Sequence, residues 1–460
     1  MATTGLRERP GATGRPRPAR HGFLLLGAVQ MTLIFTLASL AVPLPRIGAE
    51  FRLDRAELIL LSAAYGLTFA GLLLLGGRLA DRSAGRRALT AGLLVFGAAS
   101  ALAPLAPGYG TLLAARFGQG VGAALVAPAA MAVLRALHPE PAAYGRAMAT
   151  WGGLSVLGAT AGNLLSGVVV AATSWRATFA VPLAVTATAL LLAPRLLPAT
   201  EPSAGHTAPG ARRALDLPGA LLATAGITLA SYGLVLTDAH PWGSAPVLVP
   251  LLAGLVLLAA FGAVERRTPD PLLPPDFLRD GRRVLGLAAI GLTAAGTATV
   301  FVLLSLALQQ RRGWSALLTS GAFVPFAVAL LGSGRLAGPL IGRYGPGRVT
   351  AAGLGTAAAG LALLAATGFD TSAPYAYGLL PGLVLLPAGG ALSFAGAAVL
   401  ATDGVPAHRA GLAGGVLNTA MELGPTVLFA ALLTLGGDAV SLAAAAVLFT
   451  VLAAAMIRTH

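Results

Sequence analysis

Long apolar stretches separated by short polar segments follow one another along almost the whole chain from residue 22 onward. A helix that crosses a bilayer needs about 20 mostly apolar residues. Applied along the chain, this length predicts about fourteen spans, at 22–42, 57–77, 88–106, 110–134, 147–170, 177–194, 217–237, 245–263, 284–308, 316–334, 349–368, 376–401, 410–434 and 439–457. The pattern therefore predicts an all-α membrane protein with about fourteen transmembrane helices.

Arginines divide the polar segments into two classes. They cluster in the N-terminal tail, after every second predicted helix and at the C-terminal end, whereas the alternate segments carry only Arg46, Arg52, Arg55, Arg176, Arg311 and Arg312. Basic residues of membrane proteins concentrate in the cytoplasmic segments. We therefore expect both termini in the cytoplasm and an even number of helices. The Arg- and Pro-rich residues 1–21 are expected to be a disordered tail.

The amino-acid composition supports a membrane protein and argues against a soluble domain. Of 460 residues, 56% are hydrophobic and 10% charged, against roughly 25% charged in soluble domains. The net charge of +14 could indicate a nucleic-acid partner. The arginines, however, follow the topology of the helices, so we expect a lipid bilayer and no nucleic acid as partner.

No cofactor or metal is expected. The chain has no cysteine, which excludes disulfides and thiolate metal sites. Its 6 histidines are scattered without metal-ligand spacing. No Walker A sequence is present, so ATP hydrolysis is not expected to drive the protein.

Two segments with a similar pattern of glycine and arginine residues occur far apart in the chain. Residues 77–87 read GRLADRSAGRR and residues 338–348 read GPLIGRYGPGR, each between two apolar runs. They follow the second and the tenth predicted helix. If each marks the same place in a six-helix repeat, two extra helices lie between the repeats. This predicts an N-terminal bundle at 22–194, linkers with an inserted helix pair (217–263) at 195–283, and a C-terminal bundle at 284–457.

These segments resemble the signatures of the major facilitator superfamily, and specifically its fourteen-helix drug:proton antiporter branch. The first segment matches the family pattern at Gly77, Leu79, Asp81, Arg82, Gly85, Arg86 and Arg87. The second copy keeps Leu340, Arg343 and Gly345 but has Gly342 where the acid stands. The fourth predicted helix matches at Arg116, Gln119, Gly120 and Gly122. The stretches DLPGALL from Asp216 and GLAGGVLNTAMELG from Gly411 also look like this branch.

The resemblance implies a secondary transporter, not an enzyme. It would export small amphipathic, drug-like or antibiotic-like molecules by alternating access in exchange for protons. We expect a monomer in the plasma membrane of a bacterium. An uncoupled or differently coupled metabolite exporter or facilitator is the alternative within transport. A non-transporting membrane sensor on the same scaffold is a further alternative.

Three of the predicted helices depart from the pattern of the family. In the first helix, Thr36 and Ala41 stand where an Asp and an Asn are usual. In the fifth, Asn163 replaces a proline within the glycine motif. In the thirteenth, Glu422 stands where a basic or amide residue is usual.

Arg116 and Glu422 are the proton-coupling candidates. A charge at mid-bilayer costs about 2.5–3.5 kcal/mol on insertion scales, so such a residue normally faces a cavity or a partner. A carboxyl among apolar side chains can bind and release a proton near neutral pH. The alternatives are a structural arginine bonded to loop carbonyls and a hydrated acid near a helix end.

The resemblance implies further roles for the remaining motif residues. The cytoplasmic gate would comprise Gly77, Asp81, Arg82, Gly85, Arg86, Arg87 and Arg343, the alternative being an exposed ion pair of little energetic value. Polar residues within apolar runs are candidates to line a substrate cavity or to bond between helices, namely Gln30, Thr36, Gln119, Asn163 and Asn418. Small residues of the fifth helix are expected to allow close helix packing, namely Gly158, Gly162 and Gly167.

Overall fold

The structure is a computed structural model. It describes residues 17–40, 42–83, 85–198, 216–238, 240–269, 271–314, 316–368, 370, 372–406, 409–433 and 437–458. The side chains of some helical residues, including Asn163, lie outside the described set. The predicted tail, residues 1–21, also lies outside it except for its last five residues, which belong to the first helix.

The described residues form helices and connections, without a strand. The helices are α1 (Arg17–Ala38), α2 (Leu44–Phe51), α3 (Arg55–Arg82), α4 (Gly85–Leu102), α5 (Tyr109–Leu137), α6 (Pro141–Ala172), α7 (Ala180–Leu196), α8 (Leu217–Val235), α9 (Ala245–Glu265), α10 (Gly281–Leu306), α11 (Ala316–Ala322), α12 (Val324–Tyr344), α13 (Pro346–Thr367), α14 (Tyr375–Gly378), α15 (Leu380–Thr402), α16 (Ala410–Leu433) and α17 (Asp438–Arg458).

Among the described residues, 12 helices are long and apolar enough to cross a membrane. The prediction of an all-α membrane protein is confirmed. The two remaining predicted spans, 147–170 and 410–434, correspond to the long helices α6 and α16, which both contain residues outside the described set. The count of fourteen spans stays a prediction.

One predicted span is wrong in position. The sequence predicts a helix at 316–334, whereas the structure has the short α11 there and then α12, which continues to Tyr344. Arg335 ends the apolar run, but its exposed side chain does not end the helix. The same effect extends α3 to Arg82, five residues beyond its predicted end. Backbone hydrogen bonding continues where side chains become polar, so hydropathy marks the membrane boundary better than the helix end.

The turn between α12 and α13 consists of one residue, Gly345, with φ of 81°. A side chain is disfavoured at this backbone conformation, which glycine adopts without cost. Pro346 then starts α13 at a position where a proline is well tolerated. The second glycine–arginine segment is therefore mostly helical, with a reversal at a single glycine.

The helices pack into two sets joined at a seam. The first set contains α1 and α3–α7, and the second contains α10, α12, α13 and α15–α17. Across the seam, α6 packs on α12 and α15, while α16 packs on α3 and α5. The antiparallel pair α8 and α9 attaches to the first set through the contact of α8 with α3.

Two ends of the molecule differ in their polar contacts. We call the end with both glycine–arginine segments the arginine-rich face. At the opposite end of the first set, Glu50 accepts hydrogen bonds from Arg176 Nη2 and Trp175 Nε1, both at 2.7 Å. The bond from Arg176, with that from Trp175, holds the pKa of Glu50 below its usual range. This tie is therefore present at neutral pH and is lost as the pH falls through that lowered pKa.

Glycines of α6 let it approach α1 closely. A Cβ atom at Gly158 would lie 2.4 Å from the carbonyl oxygen of Met31, and one at Gly162 would lie 2.7 Å from that of Phe35. At Gly167, one turn further, the same atom would meet only the Val42 side chain at 3.7 Å, an ordinary contact. The first two glycines are thus sterically required, and the third is not.

This difference predicts the outcome of a pair of substitutions on one helix. We expect Gly158→Ala to lower the free energy of unfolding by about 1–3 kcal/mol, because the backbone of α1 must move. Gly167→Ala should change it little. Thermal unfolding of the purified variants in detergent, followed by tryptophan fluorescence, measures both. Equal stability of the two variants would contradict the close α1–α6 packing.

Candidate functional site

The carboxylate of Asp81 joins the two helix sets at the arginine-rich face. It lies in the last turn of α3 and accepts hydrogen bonds from the first turn of α16. Gly411 N donates to Oδ1 at 2.5 Å and Leu412 N donates to Oδ2 at 2.8 Å. The first N–H groups of a helix have no partner within the helix and carry its positive dipole end, so a carboxylate stabilises them. Asp81 therefore caps a helix that belongs to the other set.

Glycines on both helices make this capping possible. A Cβ atom at Gly77 would lie 2.6 Å from the Gly411 carbonyl oxygen, and one at Gly411 would lie 2.4 Å from that of Gly77. One turn further along α16, a Cβ atom at Gly415 would approach the Leu73 carbonyl oxygen to 2.8 Å. Any side chain at these positions would push α3 away from α16 and lengthen the hydrogen bonds to Asp81.

The remaining residues of the first segment make separate contacts. Arg78 Nη2 donates to the carbonyl oxygen of Pro271, and Arg86 Nη1 donates to that of Leu197 at 3.3 Å. Gly85 is buried at the start of α4, while the Arg87 side chain is exposed and Arg82 is half-buried. The predicted gate residues therefore share one face but do not form a single cluster.

The second glycine–arginine segment, residues 338–348, also contacts the first helix set, but it has no acidic residue. A Cβ atom at Gly338 of α12 would lie 2.1 Å from Cγ of Arg146 on α6, so the arginine stem occupies the space that a side chain would need. Gly342 stands where an acid would be, and Arg343 packs beside the Tyr344 ring, 5.2 Å from its centroid. The two segments thus occupy related places at the seam, but only the first one caps a helix.

Arg116 lies fully buried on α5, with 0% of its surface exposed. Its Nη1 donates to the Thr36 carbonyl oxygen of α1 at 3.2 Å and to Gln119 Oε1 at 3.0 Å. The guanidinium also lies 5.1 Å from the centroid of the Tyr65 ring on α3. Nε and Nη2 have no hydrogen-bond partner among the described residues. Because a buried charge is costly, these two free donors mark Arg116 as a group that can accept a further ligand.

Tyr65 interacts with both residues that the sequence proposes for proton coupling. It is fully buried, donates to the Leu33 carbonyl oxygen at 2.9 Å, and interacts electrostatically with both Arg116 and Glu422. Glu422 lies on α16 in the other set and is half-buried. Sequence reasoning missed Tyr65. Its only signal was a hydroxyl-bearing aromatic within the apolar run of the second predicted helix.

Four of the predicted cavity residues are buried in this conformation, namely Gln30, Thr36, Gln119 and Asn418. Gln30 Nε2 donates to Ser155 Oγ at 3.0 Å, which links α1 with α6. Gln119 Nε2 donates to Ser100 Oγ at 2.9 Å, which links α5 with α4. Thr36 and Asn418 bond to carbonyl oxygens within their own helices, at 2.8 Å each. The side chain of Asn163 lies outside the described residues. Their role in a substrate cavity stays a prediction.

Within the described part of the chain, no group of three or more His, Asp or Glu side chains is close enough to hold a metal ion. The acidic residues of the site instead bind helix N–H groups or face other protein groups.

The family model of the Major Facilitator Superfamily matches residues 24–429. The cephamycin export protein CmcT of Amycolatopsis lactamdurans is 35% identical, with 94% of this chain and 88% of the relative covered. The puromycin resistance protein pur8 of Streptomyces alboniger is 36% identical, covering 89% and 80%. The solved proton:xylose symporter XylE has the same fold, with a TM-score of 0.67 at 14% identity over 97% of this chain and 96% of the symporter.

The chain therefore belongs to the Major Facilitator Superfamily. It is a multi-pass membrane transporter and not an enzyme. The family resemblance proposed from the sequence is confirmed at this level. The fourteen-helix branch stays a proposal.

The capping contact predicts the effect of removing one charge. Asp81→Asn keeps the shape of the side chain but replaces one acceptor oxygen by a donor. A hydrogen bond to a charged group contributes about 1.5–3 kcal/mol, so the ratio of the two access states should shift roughly tenfold or more. We expect transport to slow strongly while substrate binding in detergent changes little. Spin labels on the two helix sets measure the shift.

Glu140→Gln is the matched control, because this exposed acid at the start of α6 makes no capping bond from its side chain. Normal transport and unchanged label distances in Asp81→Asn would show that Asp81 is only a structural cap.

Proposed function

We propose that this protein exports small amphipathic, antibiotic-like compounds across a bacterial plasma membrane. The observation that carries the proposal is the similarity to export and resistance proteins over nearly the full length of the chain. Many transporters with different substrates share this fold, so the fold alone does not identify the substrate. Cephamycins and puromycin are therefore the first compounds to test, as those named for the two relatives.

The proposed architecture is that of the fourteen-helix drug:proton antiporter branch. In this proposal, 22–194 and 284–457 are two bundles, 195–283 holds the linkers and the inserted pair α8–α9, and the protein acts as a monomer. Both termini and the arginine-rich face lie in the cytoplasm, as the distribution of arginines favours. The contacts between Asp81 and α16 then close the cytoplasmic side. The described conformation accordingly corresponds to a state that opens to the outside.

Transport follows from breaking and remaking this closure. When the two bundles rock apart at the cytoplasmic side, Asp81 leaves α16, and the first N–H groups of that helix become exposed. The capping bonds exist in one access state only, so they bias the equilibrium between the states. Substrate and proton shift that equilibrium by binding one state more tightly than the other.

The proposed proton path runs through Glu422, with Tyr65 and Arg116 beside it. Two observations support it: Tyr65 contacts the guanidinium of Arg116, and it interacts electrostatically with Glu422 of the opposite bundle. A proton on Glu422 removes its negative charge and so changes the attraction across the seam. This acid stands in place of the acidic residue that the first helix lacks.

A substitution at Glu422 that keeps the shape of the side chain but removes its ability to bind and release a proton tests the coupling proposal. We expect Glu422→Gln to abolish proton-driven efflux of puromycin or a cephamycin from cells while leaving the protein in the membrane. Glu140→Gln, a change of the same kind in an exposed acid whose side chain makes no capping bond, should leave efflux intact. Efflux measured with and without a protonophore separates coupled from passive transport.

Wild-type efflux that a protonophore does not affect would favour the uncoupled exporter. Protonophore-sensitive efflux in Glu422→Gln would move the proton site elsewhere. If neither compound is exported from wild-type cells, the substrate proposal fails while the fold and family stand.

Topology supplies an independent test. Reporter fusions after α3, α7, α9, α12, α15 and at both termini should all report the cytoplasm, because these positions follow an even number of proposed spans. Fusions after α4 and α10 serve as controls and should report the outside. An external C-terminus would contradict the fourteen-helix proposal.

A further inference from the structure

Two carboxyl groups meet at the arginine-rich end of the inserted pair. Asp216 precedes α8 and Glu265 ends α9, and their exposed fractions are only 7% and 4%. A Cβ atom at Gly219 would lie 2.3 Å from Asp216 Oδ2 and 2.5 Å from Glu265 Oε1. The two side chains are within hydrogen-bonding reach of each other. Neither of these oxygen atoms has a donor among the described residues.

The other oxygen of each carboxyl is already bonded. Asp216 Oδ1 accepts from Gly219 N at 2.9 Å, which caps α8. Glu265 Oε2 accepts from Leu273 N at 2.8 Å. The two remaining oxygen atoms are both acceptors and face each other in a buried place. Two ionised carboxylates cannot share such a place at low cost, whereas one proton between them satisfies both.

Glu265 ends α9 at the negative C-terminal end of the helix, where a further negative charge is disfavoured. Asp216 already caps the N-terminal end of α8 through its other oxygen. A proton on Glu265 Oε1 would therefore donate to Asp216 Oδ2. Loss of the proton to water changes the charge of the pair from −1 to −2.

Among the described residues, no arginine bonds to the free oxygen of either carboxyl. Arg212 and Arg213, which precede Asp216, lie outside the described residues. Asp216 is the charged group that acts on Glu265. At the same end of α3, Arg78 bonds to Pro271, Asp81 caps α16, and Arg82 is half-buried. Arg266 and Arg267, which follow Glu265, are exposed, and Arg409 before α16 pairs with Asp276. On α16, the acid inside the helix is Glu422, far along from its first turn.

Residues 266–269 and 271–280, which we call the strap, connect this pair to the seam; residue 270 lies outside the described residues. Glu265 holds its beginning through Leu273 N. The Pro271 carbonyl oxygen accepts from Arg78 of α3, Asp276 pairs with Arg409 at 3.5 Å, and the Phe277 carbonyl oxygen accepts from Arg283 of α10 at 2.9 Å. The strap thus touches elements from both helix sets beside the capping contact of Asp81.

We propose that Asp216 and Glu265 form a binding site for a single proton, and that the protonated pair holds the strap against the seam at the cytoplasmic gate. Deprotonation places two negative charges side by side, separates the ends of α8 and α9, and frees Leu273 from Glu265. The strap then loosens its hold on Arg78 and Arg409. This gives the inserted pair a function in sensing pH. The proposed orientation decides only which compartment is sensed.

Infrared spectroscopy tests the shared proton directly on the purified full-length protein. The Glu422→Gln variant serves as the parent, which leaves Asp81 as the other carboxyl at the seam. Between about pH 5 and about pH 9, we expect the parent to show a protonated-carboxyl stretch that is lost when Glu265→Gln is added. The amide of that variant donates to Asp216 in place of the acid. Glu140→Gln, an exposed acid, is the control and should leave the band unchanged. A protonated-carboxyl band of the same intensity in the parent, in Glu265→Gln and in Asp216→Asn would overturn the proposal.

A distance measurement tests the link to the strap. The chain has no cysteine, so nitroxide labels can be placed at Arg195→Cys and Pro275→Cys, both exposed. We expect the label distance in the wild type to change with pH, Glu265→Gln to stay at its low-pH value, and Glu265→Ala to stay at its high-pH value. Asp216→Asn supplies a second amide variant if Glu265→Gln does not fold.

Two results would overturn the strap mechanism. One is a wild-type distance that is the same at every pH. The other is a distance that responds to added Na⁺ or Ca²⁺ at constant pH, which would make the pair a cation site. Because neither measurement involves transport, their outcome is independent of the proposed export function.

Discussion

The crossing of α3 and α16 is the contact on which the rest of the arrangement depends. Within a bilayer, apolar side chains gain little by leaving lipid for protein, so helices associate through close packing and hydrogen bonds. Gly77 and Gly411 allow the two backbones to approach, and Asp81 then satisfies N–H groups that would otherwise lack partners. Followed toward the middle of both helices, the same crossing brings Tyr65 near Glu422. One contact thus closes one face and positions the polar groups of the interior.

A second constraint is the buried charge of Arg116, whose hydrogen-bond donors have acceptors only in part. Arg116 has bonds to Thr36 and Gln119 through one nitrogen, while Nε and Nη2 face no acceptor among the described residues. A fully bonded arginine would be a structural element of the first bundle alone. With free donors beside Tyr65 at the seam, it can respond to a charge or ligand that arrives from the other side. This is the property that the proposed coupling uses.

The inserted pair is more than an addition at the periphery. Its outer helix, α9, is exposed over most of its apolar surface, as expected of a helix that faces lipid. Its arginine-rich end, in contrast, buries two acids and holds the strap that reaches Arg78 and Arg409. A charge change at this end therefore acts on the same helices that the capping contact joins. The capping contact of Asp81 and the acid pair are therefore connected through the strap.

The sequence alone determined the fold class, the family and the place of most helices. Apolar length and arginine placement are local properties that the bilayer imposes on every span. Through the family resemblance it also indicated Asp81 as a residue of the gate. The predicted helix ends were wrong where helices continue past polar residues, as in α12, because hydropathy does not report backbone hydrogen bonding. Only the tertiary structure decided that α16 is the helix that Asp81 caps, that Tyr65 interacts with both Arg116 and Glu422, and that Asp216 faces Glu265. Those pairs are separated by dozens to hundreds of residues, and their meeting depends on how closely the helices pack, which no local pattern encodes.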